Sequence, residues 1–142
     1  MSELLQQRQE DIAEEFEFFE DWMERYEHII ELGKELETIA EEEKQDDHLI
    51  RGCQSRVWLL AAKDGDGKVQ FRADSDAIIT KGLAALMVRA LSGLPPAVIA
   101  QADLWFIEKI GLDAHLSPTR ANGLRSMVQQ MKHYGVAFQA QA

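Results

Sequence analysis

Midway along the chain two short apolar runs meet at Asp64-Gly65-Asp66-Gly67, and this turn limits the fold more than any other segment. Asp-Gly steps readily supply the positive φ angles of a tight hairpin, so the flanking runs are expected to pair as antiparallel strands. Before the turn, Arg56-Val57-Trp58-Leu59-Leu60-Ala61-Ala62 reads as a strand; after it, Lys68-Val69-Gln70-Phe71-Arg72-Ala73 alternates with a period of two. His48-Leu49-Ile50-Arg51-Gly52 is short and extended, which predicts a third strand and places Cys53 in the turn between the first two.

Helical patterns lie on both sides of this sheet. Residues 3–19 carry Leu5, Ile12, Phe16 and Phe19 at helical spacing among carboxylates, and a second helix follows with Trp22, Tyr26, Ile29 and Ile30 as its stripe and Gly33 as a candidate break. Residues 34–47 offer a faint helical face at Leu36, Ile39 and Ala40 before an exposed Glu-rich connection. After the sheet, Asp76 is expected to cap a helix through Leu91 that buries Ile79, Leu83, Leu86, Met87 and Ala90 and stops at Ser92-Gly93. Pro95-Pro96 opens a short helix to about Gln101, and another runs from Leu104 to near Gly111. Ser117 as N-cap with Pro118 at the first helical position starts a final helix through about Tyr134. The expected architecture is one α+β domain over residues 1–142, a small three-stranded antiparallel sheet with helices packed on one side.

Charge narrows the function classes. Residues 1–50 hold 18 Asp and Glu against 4 Lys and Arg, whereas residues 51–142 hold 7 against 11. Such an acidic half repels phosphate backbones, which argues against nucleic-acid binding and allows steering toward a basic patch on a protein partner. The N-terminal residues lack the basic-then-apolar run of a secretory signal. The uncharged stretch from Ala90 to Ala102 is 13 residues with two prolines, against the roughly 20 apolar residues of a membrane span. A cytoplasmic location with no membrane partner is expected, where an isolated thiol stays reduced.

Cys53 is the single cysteine, so an intrachain disulfide and a cage of several thiolates are excluded. It is either an inert buried thiol or one that reacts with partners outside the chain. Gly52 suits a strained turn, Gln54 and Ser55 bring hydrogen-bond donors near the sulfur, and Arg51 and Arg56 favour the thiolate where they face it. His28, His48, His115 and His133 form no zinc-binding spacing; His48, five residues before Cys53, is either solvent-exposed or a partner to the thiol across the turn. Gly65 and Gly67 are no phosphate loop, because a strand rather than a helix follows. Asp74 and Asp76 read either as paired carboxylates or, more simply, as capping and turn residues.

Several segments together resemble the SufE family of sulfur-acceptor proteins. They are Trp22-Met23-Glu24-Arg25-Tyr26 leading to Ile30-Glu31-Leu32-Gly33; Gly52-Cys53-Gln54-Ser55-Arg56-Val57-Trp58-Leu59; Phe71-Arg72-Ala73-Asp74-Ser75-Asp76-Ala77; Lys81-Gly82-Leu83; and Leu116-Ser117-Pro118-Thr119-Arg120-Ala121-Asn122-Gly123-Leu124. The resemblance implies helices on one side of a small antiparallel sheet, similar to the scaffold proteins on which iron–sulfur clusters are built, although those use several cysteines. It implies that Cys53 accepts persulfide sulfur from a cysteine desulfurase of the SufS or CsdA kind, stimulates that enzyme, and passes the sulfur to a downstream iron–sulfur assembly scaffold. On this reading the chain is a sulfur carrier rather than a stand-alone enzyme, with no cofactor or metal, and a homodimer stays open. Gly52, Gln54, Ser55, Arg56, Asp74 and Arg120 become candidates for shaping the site or contacting the partner, with a salt bridge or helix-surface contact an equal reading for Arg120. Trp58 is expected in the core beneath the loop. One departure is the linker, residues 34–45, which lacks the proline relatives often carry and is expected to be more helical. The alternatives are a non-catalytic adaptor that activates a desulfurase by docking, and a metal or iron–sulfur scaffold.

Overall fold

A computed structural model describes residues 2–50 and 55–141. Two helices come first, α1 (Glu3–Glu17) and α2 (Trp22–Glu35), each opened by a side-chain cap: Ser2 accepts from the Leu5 N–H and Asp21 from the Glu24 N–H. The hairpin β1 (Val57–Lys63) and β2 (Val69–Ser75) follows, then α3 (Ile78–Leu91), three short helices α4 (Pro96–Ala100), α5 (Phe106–Lys109) and α6 (Leu112–His115), and the long α7 (Pro118–Ala140). Ser117 caps α7 with Pro118 in its first turn, as the sequence predicts.

The predicted hairpin forms in register from Val57 opposite Ser75 to Lys63 opposite Val69. Asp64 organises its turn, accepting N–H bonds from Asp66 and Lys68 and from the Gln70 amide. Of the expected third strand, Arg51 and Gly52 lie outside the described residues. Among the described residues the sheet has two strands, and Leu49 forms a bridge opposite Trp58. Just upstream, Asp46–His48 closes into a 3₁₀ turn. On the far edge, Val69 exchanges backbone bonds with Leu94 and Gly93.

Strand alternation sends Val69, Phe71 and Ala73 inward and Gln70 and Arg72 outward. The inward face packs on α3, which also contacts α1, α2 and α7 and is therefore apolar almost all round. Its crossing with α2 is backbone to backbone. A Cβ on Gly82 would stand 2.1 Å from the Ile29 carbonyl oxygen, and one on Gly33 would stand 2.7 Å from the Gly82 nitrogen. Gly33, expected as a break, is instead a contact point inside α2.

The linker is more than an exposed connection. Glu41–Glu43 and Asp46–His48 are 3₁₀ turns, Ile39 is buried, and Glu43 pairs with Arg72 on the outer face of β2. One buried polar residue also joins elements: Gln9 on α1 donates to the Asp103 carbonyl and accepts the Phe106 N–H. No helix among the described residues is long and apolar enough to cross a membrane.

Candidate functional site

Gly52, Cys53 and Gln54, with Arg51, lie outside the described residues, so the site is defined by the frame on which that segment stands. On the entry side the Ile50 N–H donates to the Val57 carbonyl at 2.9 Å, next to the Leu49–Trp58 bridge. On the exit side Arg56 is fixed by four bonds. Its N–H and Nε donate to the two carboxylate oxygens of Asp76, each at 3.0 Å, and its carbonyl accepts the Asp76 N–H and the Ser75 hydroxyl. The Arg56 hydrogen bond is the main cause holding the Asp76 carboxyl below its usual range.

This fork corrects the capping expectation. Asp76 spends its carboxylate on Arg56, and α3 begins after Ala77 without a side-chain cap. The guanidinium of Arg56 also lies 5.3 Å from the centre of the Trp58 ring, and the Lys44 ammonium lies 5.2 Å from it. Trp58 is buried as expected, on the outer face of the sheet under these two cations.

Asp74, opposite Trp58 in the register, does not join the site as a free carboxylate. It is 4% exposed and stands 3.3 Å from the Lys44 ammonium and 3.4 Å from that of Lys81, while accepting the Ser75 N–H. Burial alone would raise its pKa. The Ser75 N–H and the two lysines outweigh that and hold the carboxyl below its ordinary value. Asp74 thereby ties the linker, β2 and α3 together.

The first described residue after that segment, Ser55, lines a cleft of about 330 Å³ with Thr80 of α3 and with Ser117, Thr119, Arg120, Gly123 and Met127 at the start of α7. Of the sequence candidates, the structure brings Ser55 and Arg120 together here, places Arg56 and Asp76 at the adjoining strand end, and directs Asp74 elsewhere. Arg120 is exposed, stacks its guanidinium 5.9 Å from the Tyr26 ring, and makes no ion pair among the described residues. Of the two structural readings of Arg120, a salt bridge or a helix-surface contact, the described residues show the second, against Tyr26 of α2. Thr80, Ser117 and Thr119 were missed as site residues; only the N-cap role of Ser117 was legible.

The histidines are dispersed. His28 meets Glu15 at 2.7 Å, His115 stacks on Trp22 at 4.8 Å, and His133 lines a separate groove. That groove, about 750 Å³ between the α4–α5 region and α7, is the larger concavity but shares no described residue with the cleft beside Ser55.

Comparison with known proteins agrees with this frame. The SufE family model, an Fe-S metabolism associated domain, matches residues 10–135. An uncharacterised SufE-like protein of Rhizobium etli is 43% identical over 125 residues, covering 85% of this chain and 84% of that one. Another, from Synechocystis, is 41% identical over 128 residues, covering 90% and 80%. The solution structure of a hypothetical protein from Thermus thermophilus superposes with a TM-score of 0.76 at 18% identity, over 94% of this chain and 96% of that one, a likeness of fold alone.

Proposed function

The chain belongs to the SufE family, which is linked to Fe-S metabolism, and on that premise we propose that it is a sulfur acceptor. It takes persulfide sulfur from a cysteine desulfurase onto Cys53 and hands it to iron–sulfur cluster assembly. The observation that carries this reading is the hydroxyl- and arginine-lined cleft at Ser55, two residues along the chain from its single cysteine.

The chemistry is a transfer of one sulfur atom. The Cys53 thiolate attacks the terminal sulfur of the desulfurase persulfide; a new S–S bond forms, the old one breaks, and the desulfurase thiolate leaves. The product is a Cys53 persulfide, with no net change in oxidation state across the two proteins. An ordinary thiol is only a few per cent ionised near neutrality, so a nearby cation raises the reactive fraction. Arg56 is largely neutralised by Asp76, which leaves Arg120 as the cation of the cleft without a carboxylate partner among the described residues. With no second cysteine to resolve the persulfide internally, the sulfur passes to another protein.

The test is stimulation of desulfurase turnover. The wild-type chain accelerates cysteine consumption because it clears the enzyme-bound persulfide, and Cys53→Ser abolishes that effect. Full stimulation by Cys53→Ser would instead identify an adaptor that acts by docking.

A further inference from the structure

The groove of about 750 Å³ along α7 is shaped and charged in a way that sulfur acceptance at the other cleft does not use. α7 turns Met127, Met131 and Gly135 into the core, and one residue further round the helix Val128, Lys132 and Val136 repeat every fourth position along the groove. From Leu124 to Val136 the groove follows α7 for just over three turns, about 18 Å. Leu104, Trp105 and Ile107 line it from the α5 side, and Val136 is 56% exposed, so apolar surface is left uncovered there. One end is already fixed. A Cβ on Gly135 would stand 2.8 Å from the Ala100 nitrogen, so α4 and α7 meet backbone to backbone. The two sides carry opposite charge, with Asp103, Glu108 and Asp113 from the α5–α6 region and Arg125 and Lys132 from α7. None of these five joins an ion pair among the described residues.

We infer that this groove receives one amphipathic helix of a partner protein, its apolar stripe on Val128, Val136, Trp105 and Ile107, its basic edge toward Asp103, Glu108 and Asp113, and its acidic edge toward Arg125 and Lys132. A hollow that follows α7 for three turns, with apolar positions every fourth residue, matches a helix laid along it. Charge selects which helix. One with two basic edges would meet Arg125 and Lys132 as like charges, and one with two acidic edges would meet three carboxylates. The apolar stripe supplies affinity, and the edges set orientation. A second copy of this chain offers the same hollow face, which would lie hollow against hollow. The groove shares no described residue with the cleft beside Ser55, so its occupant leaves that cleft open.

The test titrates the full chain with three synthetic peptides of about 18 residues, long enough to form a helix, that share one leucine stripe. The first carries lysines along one edge and glutamates along the other, the second lysines on both edges, the third glutamates on both. The mixed peptide is expected to bind saturably, with NMR amide shifts centred on Ile107, Val128, Lys132 and Val136, and about threefold or more tighter than either control. Val136→Asp puts a charge under the apolar stripe and should weaken it about tenfold, while its exposed position leaves the thermal melt unchanged. Lys132→Glu should weaken the mixed peptide and strengthen the all-lysine one. No saturable binding by any peptide, a control that binds wild type as tightly as the mixed peptide, or affinity untouched by Val136→Asp overturns the inference. Sedimentation of the chain alone is expected to show a monomer. A dimer that Val136→Asp abolishes would mean that a second copy fills the groove, and would overturn the assignment to a partner's helix.

Discussion

Replacing Asp74 by Asn tests how the linker, β2 and α3 are held together. The substitution keeps the size of the side chain and an oxygen able to accept the Ser75 N–H, and it removes the charge facing Lys44 and Lys81. Stripping one partner from a fully buried ion pair costs about 3–5 kcal/mol. Here the lysine side chains are 20% and 22% exposed, so each ammonium recovers part of its hydration, and we expect about 2 kcal/mol. For a chain of this size that lowers Tm by roughly 8 °C. The sign with pH follows from the depressed folded pKa of Asp74. Its contribution is complete above the unfolded-chain value of about 3.9 and is lost as pH falls through the lower folded value. Urea melts of wild type and Asp74→Asn should therefore differ fully at neutral pH and draw together only as pH falls through the lowered folded value of Asp74. Hydrogen exchange should quicken first in the linker turns, which lose the Lys44 anchor. Equal stability at neutral pH, or a gap that ignores pH, would refute the reasoning.

Other consequences can be measured the same way. Gly82→Ala drives a Cβ into the Ile29 carbonyl at 2.1 Å, and because backbone must move it should cost about 3 kcal/mol or more, read by denaturant unfolding. A loss below about 0.5 kcal/mol would mean that α2 and α3 do not cross this closely. Gln9→Leu leaves the Phe106 N–H and the Asp103 carbonyl without their partner and should cost about 3 kcal/mol, despite adding apolar volume; a neutral or stabilising result would show those groups satisfied otherwise.

Much of the fold was legible because local chemistry decided it. Asp64-Gly65-Asp66-Gly67 sets the hairpin, and Ser117-Pro118 starts α7, through groups that act on their own backbone. What was missed depends on distant partners. Gly33 reads as a helix break until Gly82 is placed against it, since a missing side chain carries no sign of what will approach. Asp76 looks like a cap until Arg56, 20 residues away, competes for the carboxylate and wins with two charge-assisted bonds. Lys44 sits in a charge run that reads as solvated surface, yet it reaches Asp74 and the Trp58 ring. The candidate site divides likewise. Ser55 and Arg120 were found through family-like segments, whereas Thr80 hid within an apolar helix pattern and only the packing of α3 against α7 brings it to the cleft.

The most direct test of the acceptor account is the mass of the intact chain after incubation with candidate cysteine desulfurases and cysteine. The account predicts one added sulfur atom, removed by a thiol reductant and mapped to Cys53 by peptide analysis, with none on Cys53→Ser. A chain that gains no sulfur from any desulfurase tried, or gains it equally with Cys53 replaced, would contradict it.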